Sequence, residues 1–336
     1  FGLVAAAVSG FLLTSVPVWT GQPPLVGGRL IGMVGLWIAG RVAMGAAGWI
    51  GPGWVAGIDL SFLPVLGVAV ARPILRARSR RNYAVPLLLA VLAAANGMTH
   101  LEALGGAPLG RVGLHLGAYV LATLLIVIGG RITPAFTRNH LVRQGVAAKV
   151  RSHRWLERGL FSTCGGLLAA ELLAPGSLLT GALELAVGGL AMLRLAGWQG
   201  LRVLREPLLW SLHLGQAWVA VGLVCTGIAD LTGILLWSTG VHALTVGGFG
   251  TMLLAVMTRV GLAHTGRSLE TPPGIPLAYG AITVAALIRV GVPIAWPAWG
   301  LEGIVVSGTL FAAAFGMFTW RYAPMLLAPR VDGGEG

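Results

Sequence analysis

Eleven separate stretches of this chain run for about 17 to 24 residues with few or no charges, near 1–18, 29–49, 55–71, 84–104, 112–132, 156–174, 177–196, 207–230, 235–259, 276–293 and 299–320. An α-helix rises about 1.5 Å per residue and the hydrocarbon layer of a bilayer is about 30 Å thick, so about 20 such residues span it. With 56% hydrophobic residues, 10% charged residues and a mean hydropathy of +0.84, too few polar side chains remain to coat a water-facing globule. The fold class that follows is all-α, a polytopic transmembrane helix bundle expected to form one domain over 1–336. The 52 glycines fit it, because membrane helices pack closely through small side chains.

The basic residues set the orientation. If the spans alternate, 20 of the 23 fall on one side, in the loops 72–82 and 131–155 and at Arg158 just beyond, in 194–205 and 259–267, in the tail 321–336 and at Arg29. Arg41, Arg111 and Arg289 remain near the other face. The positive-inside rule makes the crowded side cytoplasmic. A net charge of +12 is thereby a topology signal, and nucleic acid is not an expected partner; the lipid bilayer is. Trp49, Trp54, Trp237, Trp296 and Trp299 at the outer ends, and Trp19, Trp155, Trp198, Trp210 and Trp320 at the inner ends, form interfacial belts. Cys164 and Cys225 both lie in apolar runs and make neither a disulfide framework nor a CxxC motif. The chain opens at Phe1 inside an apolar run, without an initiator Met, which reads as a missing N-terminal piece.

A period of four helices is visible at the inner ends of the first, fifth and ninth spans, which read Pro17-Val18-Trp19-Thr20-Gly21, Pro134-Ala135-Phe136-Thr137-Arg138 and Leu262-Ala263-His264-Thr265-Gly266. Ala71-Arg72-Pro73-Ile74-Leu75 and Tyr322-Ala323-Pro324-Met325-Leu326 repeat in the same phase after spans three and eleven. Three four-helix units make an expected twelve spans, of which eleven are present.

Histidines in the spans are the candidates for chemistry. His100, His115 and His242 lie toward the outer ends of spans four, five and nine. Aligning the repeats places His115 within one residue of the point equivalent to His242, and places a third equivalent point just before Phe1. One imidazole per repeat suits a metal or haem centre, while hydrogen bonding to a neighbouring helix is the plain alternative. Beside His242, Gly247, Gly248 and Gly250 remove side-chain bulk, so either a flat macrocycle or another backbone could approach. Met252, on the same face, is a soft copper donor or a core residue. His213 lies roughly 9 Å and His242 roughly 27 Å from the inner ends of their helices, so they belong to different sites. His213 shares a narrow face with Gln216, Ala217 and Ala220, and His264, at an inner helix end, is its possible companion. Asp59, Glu102, Glu171, Glu184, Asp230 and Glu302 lie in the outer half, where Arg41, Arg111 and Arg289 are expected to pair with acids, the other use of such arginines being to hold haem propionates. A transporter or channel with a polar pathway through that half is the alternative function. No phosphate loop, nucleophile elbow or HExxH motif is present.

The segments Gly10-Phe11-Leu12-Leu13-Thr14 through Trp19-Thr20-Gly21, Gly130-Arg131 to Asn139, Pro207-Leu208-Leu209-Trp210 to His213-Leu214-Gly215, His242-Ala243-Leu244-Thr245-Val246-Gly247 to Met257-Thr258-Arg259, His264-Thr265-Gly266-Arg267 and Arg321-Tyr322-Ala323-Pro324 together resemble the NnrS family. That resemblance implies a bacterial inner-membrane protein of twelve helices that carries haem and copper and acts in the response to nitric oxide, with an electron donor the sequence leaves unnamed. It implies haem or another cofactor on His242, His213 or His264, and metal on His242, His100 or His115. The family's His-Glu-Met segment would fall immediately before Phe1. The adjacent His-His pair of haem–copper oxidases is absent.

Overall fold

The computed structural model describes residues 1–147, 150–151 and 153–333; parts of the basic stretch 131–155 and of the tail 321–336 therefore lie outside the described residues. Eleven helices carry the chain, counting Trp237–His264 as one: α1 Leu3–Thr20, α2 Gly28–Gly45, α3 Pro52–Arg76, α4 Ala84–Ala103, α5 Gly110–Arg143, α6 Arg154–Leu173, α7 Leu178–Ala196, α8 Pro207–Thr232, α9 Trp237–His264, α10 Ile275–Ala295 and α11 Gly300–Leu327. No strand occurs among the described residues.

Among the described residues, nine of these eleven helices are long and apolar enough to cross a bilayer. The two that fall short are α2, where five glycines and two arginines dilute 18 residues, and α6, which contains Arg154, Glu157, Arg158 and Glu171. Several helices outrun the apolar stretches that nucleate them. The segment from Arg131 to Arg143, expected as loop, continues α5, and α11 extends to Leu327 into the expected tail. Helical hydrogen bonding propagates cheaply once started, and arginine is a good helix former, so a change from apolar to basic sequence does not end a helix. Glycines end them instead. Gly21 and Gly233 take φ of 65° and 66° after α1 and α8, a left-handed cap open to residues without a Cβ.

Two compact units divide the chain, Phe1–Leu124 and Leu125–Gly336, the boundary falling inside α5. In the first, α3 is central and packs against α1, α2 and α4. In the second, α8 packs against α7 and α9, and α10 against α9 and α11. Burial ranks these helices: 67% of the apolar window is buried in α8 and in α9 but 22% in α11, which presents Trp320 and Leu327 outward.

The α8–α9 crossing is made of reciprocal glycine notches. A Cβ on Gly222 would stand 2.6 Å from Cγ of Leu244, one on Gly247 2.5 Å from the Trp218 ring, and one on Gly248 2.8 Å from Val219. Over Ala243–Gly250 the helix widens to π geometry, a rare form often seen near functional sites. The space beside these glycines is thus filled by α8, and helix packing is the reading that holds for them. Met252 is likewise enclosed, with its sulfur 3.7 Å from Gln216 Nε2 and its chain seated on Gly215.

Candidate functional site

His213 stands two turns into α8, whose start is fixed by Pro207 at the first helical position. The chain reaches it through a tight passage after α7: Gln199 turns left-handed with φ 57°, and Gly200–Val203 forms a 3-10 turn. Buried Trp198 meets the imidazole edge-on at 6.3 Å. Trp198 is in turn braced by Arg194, whose guanidinium lies 5.2 Å from its ring. Arg194 donates from Nε and Nη2 to both carboxylate oxygens of Glu157 at 2.8 and 2.6 Å, and from Nη1 to the Ile126 carbonyl at 2.8 Å. Such a fork satisfies a buried guanidinium almost completely, which makes this corner stiff.

The imidazole of His213 is held on both edges. Its Nε2 shares a 2.9 Å hydrogen bond with Thr137 Oγ1 from α5, and both residues are buried. In the tautomer that donates from Nε2, Nδ1 keeps its lone pair. On the Nδ1 side stands Gly200, where a Cβ would lie 2.7 Å from that nitrogen, so the ring fits there only because the neighbour is bare backbone. Gly200 and His213 both line a cavity of about 690 Å³ between α7, the connecting turn and α8. Met192, Leu195, Leu214 and Ala217 make its walls apolar, with Arg202 and Gln199 as polar groups at the turn. That size is in the range of about 300–1,000 Å³ typical of small-molecule and cofactor sites.

A second polar cluster lies in the first unit. Asp59, buried on α3, accepts from Asn96 Nδ2 and shares a hydrogen bond with His100 Nε2 through the same oxygen, each at 2.9 Å. Its other oxygen pairs with Arg41 from α2. Ion pairing is therefore what Arg41 does. Asn96 and His100 are four residues apart on α4, hence on one face.

The remaining candidates are dispersed. His115 is buried and edge-to-face with Tyr119 at 6.5 Å. His242 is half-buried at the last α-helical residue before the π segment, close enough to Arg289 for the two to act on each other's charge. His264 is exposed at the C-terminal end of α9. Glu171 and Glu184 are fully buried and both engaged. Among the described residues, no group of three or more His, Cys, Asp or Glu side chains stands together as a metal-ion site. Sequence reasoning selected His213 and His100 but not Thr137, Gly200, Asn96 or the role of Asp59. The i, i+4 spacing of Asn96 and His100 was a usable signal; the contact of Thr137 with His213 spans 76 residues and left none.

The fold and these sites define a multi-pass helical membrane protein whose spans carry buried histidines at separate places. The profile of the NnrS protein family matches residues 1–330, and the chain belongs to that family. No curated protein and no solved structure matches it.

Proposed function

We propose that the chain is a haem-binding protein of the bacterial inner membrane that acts in the response to nitric oxide, with His213 as the haem ligand. One observation carries the site: a buried imidazole, anchored at Nε2 by Thr137 and backed by the bare backbone of Gly200, lines a cavity of about 690 Å³. A single histidine beside a large apolar cavity would suit haem, which brings most of its iron's donors with it, better than a bare ion that needs several protein donors. His213 would hold the group there, and haem would supply an iron able to take up nitric oxide. Thr137 fixes the ring orientation and tautomer, the apolar walls exclude water, and Arg202 offers a cation to anionic substituents. The role in nitric oxide metabolism rests on family membership.

Copper is implied by the same resemblance. The described residues do not assemble a donor set for it, although His100, ordered by Asp59 as metal-bound histidines are by second-shell carboxylates, is the best prepared. No copper-dependent step is derived.

An absorption spectrum of the purified chain tests the reading. A Soret band that shifts on adding nitric oxide, is lost in His213→Ala and is kept in His242→Ala is the expected result. A band kept in His213→Ala and lost in His242→Ala moves the site to α9, and a chain with no Soret band refutes haem binding. Ion flux in liposomes that disappears in Glu184→Gln, from a haem-free chain, would establish the transport function instead.

A further inference from the structure

The arginine-rich helix ends of the first unit form a pocket of another kind. It opens between the C-terminal end of α1, the connection to α2 and the C-terminal end of α3, with a volume of about 190 Å³. Three arginines line it: Arg29 in the first turn of α2, and Arg72 and Arg76 one turn apart on α3. Gln22 adds a side-chain amide, and Leu12 and Val70 give it an apolar floor. None of the three guanidinium groups hydrogen-bonds or ion-pairs with a described residue.

Nothing in the first unit compensates this charge. Residues 1–124 contain eight arginines and two acids, Asp59 and Glu102. Asp59 is taken by Arg41, Asn96 and His100, and lies about 20 Å from Arg72 along α3. Glu102 accepts the backbone N–H of Gly110 at 2.7 Å. Three cations around one concavity repel each other unless an anion sits among them, and guanidinium forks match phosphate oxygens in particular. The volume is below that of drug-sized ligand sites, about 300–1,000 Å³, but admits a phosphate group. Charged rim and apolar floor also occur in the order that a phospholipid presents: the arginines lie where apolar spans end, and the floor continues along α1 and α3 into those spans.

We infer that this pocket binds a phosphate group, and that its occupant is the headgroup of an anionic phospholipid. Basic pockets between transmembrane helices bind anionic lipid headgroups, and with each arginine contributing as much as one near an anionic membrane surface, removing three should weaken binding on the order of a hundredfold.

The test is native mass spectrometry of the full chain in detergent, titrated separately with phosphatidylglycerol, phosphatidylcholine and inorganic phosphate. The expected result is selective retention of phosphatidylglycerol. Retention should be lost in the triple variant Arg29→Gln, Arg72→Gln, Arg76→Gln and kept in the control Arg154→Gln, Arg158→Gln, Arg321→Gln, which removes equal charge elsewhere. Ala69→Trp fills the pocket wall with every arginine in place, and it should lose the lipid too, which keeps the test sound if the triple variant folds poorly. Retention of inorganic phosphate with the same dependence on the three arginines would keep the phosphate site and overturn the lipid. Equal loss in both triple variants, or no preference of the unaltered chain for phosphatidylglycerol over phosphatidylcholine, overturns the proposal.

Discussion

Thr137 and Gly200 act on one imidazole from opposite edges, and the two contributions separate by mutation. Thr137→Val keeps the shape of the side chain and removes the oxygen bonded to His213 Nε2. Outer-shell partners of this kind change metal affinity by about tenfold to a hundredfold, so haem should titrate into the variant with that loss, read from the Soret band, while thermal stability changes little. Gly200→Val instead places carbon against Nδ1, must displace the imidazole, and is expected to abolish the band outright. Equal, small effects of both changes would show that the imidazole is not the ligand. Asp59 gives a contrasting case, because it holds three side chains at once. Asp59→Ala strands His100 and Asn96 in a buried site and leaves Arg41 without its anion. Losing one partner of a buried pair costs about 3–5 kcal/mol. The low end is expected here, measured as a lowered Tm in detergent, because the Arg41 side chain retains 35% exposure and can reach polar surroundings.

Neighbouring glycines on one helix show how packing, and not composition, decides what a residue contributes to an element. On α7, a Cβ at Gly188 would meet Val224 at 2.7 Å and the Ala220 carbonyl at 2.8 Å of α8, whereas one at Gly189 would meet nothing within 4 Å. Gly188→Leu should therefore destabilise the chain by about 1–3 kcal/mol or more through overpacking. Gly189→Leu, pointing outward, should be close to neutral; Tm values of the two variants check this. The same distinction explains which parts of the architecture are legible in the sequence. Apolar length marks helices directly, and all eleven are recoverable, because crossing a bilayer forces about 20 consecutive apolar residues. Helix ends are not, as the run of α5 to Arg143 shows, since arginine ends an apolar stretch without ending a helix. The π segment Ala243–Gly250 is also invisible, because its glycines are equally compatible with a tight crossing and with room for a ligand. Only the positions of Trp218 and Val219 decide between these. His213 is legible as a buried polar residue on an apolar helix, but its partners come from α5 and from the turn after α7, which no periodicity connects to it.

At the scale of the whole molecule the charge distribution makes the remaining claim. Counted along the sequence, 20 of 23 basic residues lie in the connections after α1, α3, α5, α7 and α9, in the segment after α11, or in the helix ends that flank these, and the opposite helix ends and connections carry only Arg41, Arg111 and Arg289. An alternation so regular requires every helix to cross, including α2 and α6, which fall short of the apolarity that would guarantee it. Both have a physical route to crossing. Arg41 of α2 is neutralised by Asp59 from α3, and Glu157 of α6 by Arg194 from α7, so each helix has one of its charges paired within the bundle. Reporter fusions decide the matter. Alkaline phosphatase should be active when joined at Ala47, Gly105, Gly176 or Ile234, and green fluorescent protein should fluoresce when joined at Arg78, Gly145, Arg202, Arg267 or Arg330. If α2 did not cross, the pattern would invert from Ala47 onward; if α6 did not, it would invert from Gly176 onward. Arg41→Leu with Asp59→Leu should leave the pattern unchanged, since it replaces a neutral pair by apolar contact. Asp59→Leu alone leaves the Arg41 cation unpaired in α2 and should make the insertion of that helix, read as phosphatase activity at Ala47, the first to fail.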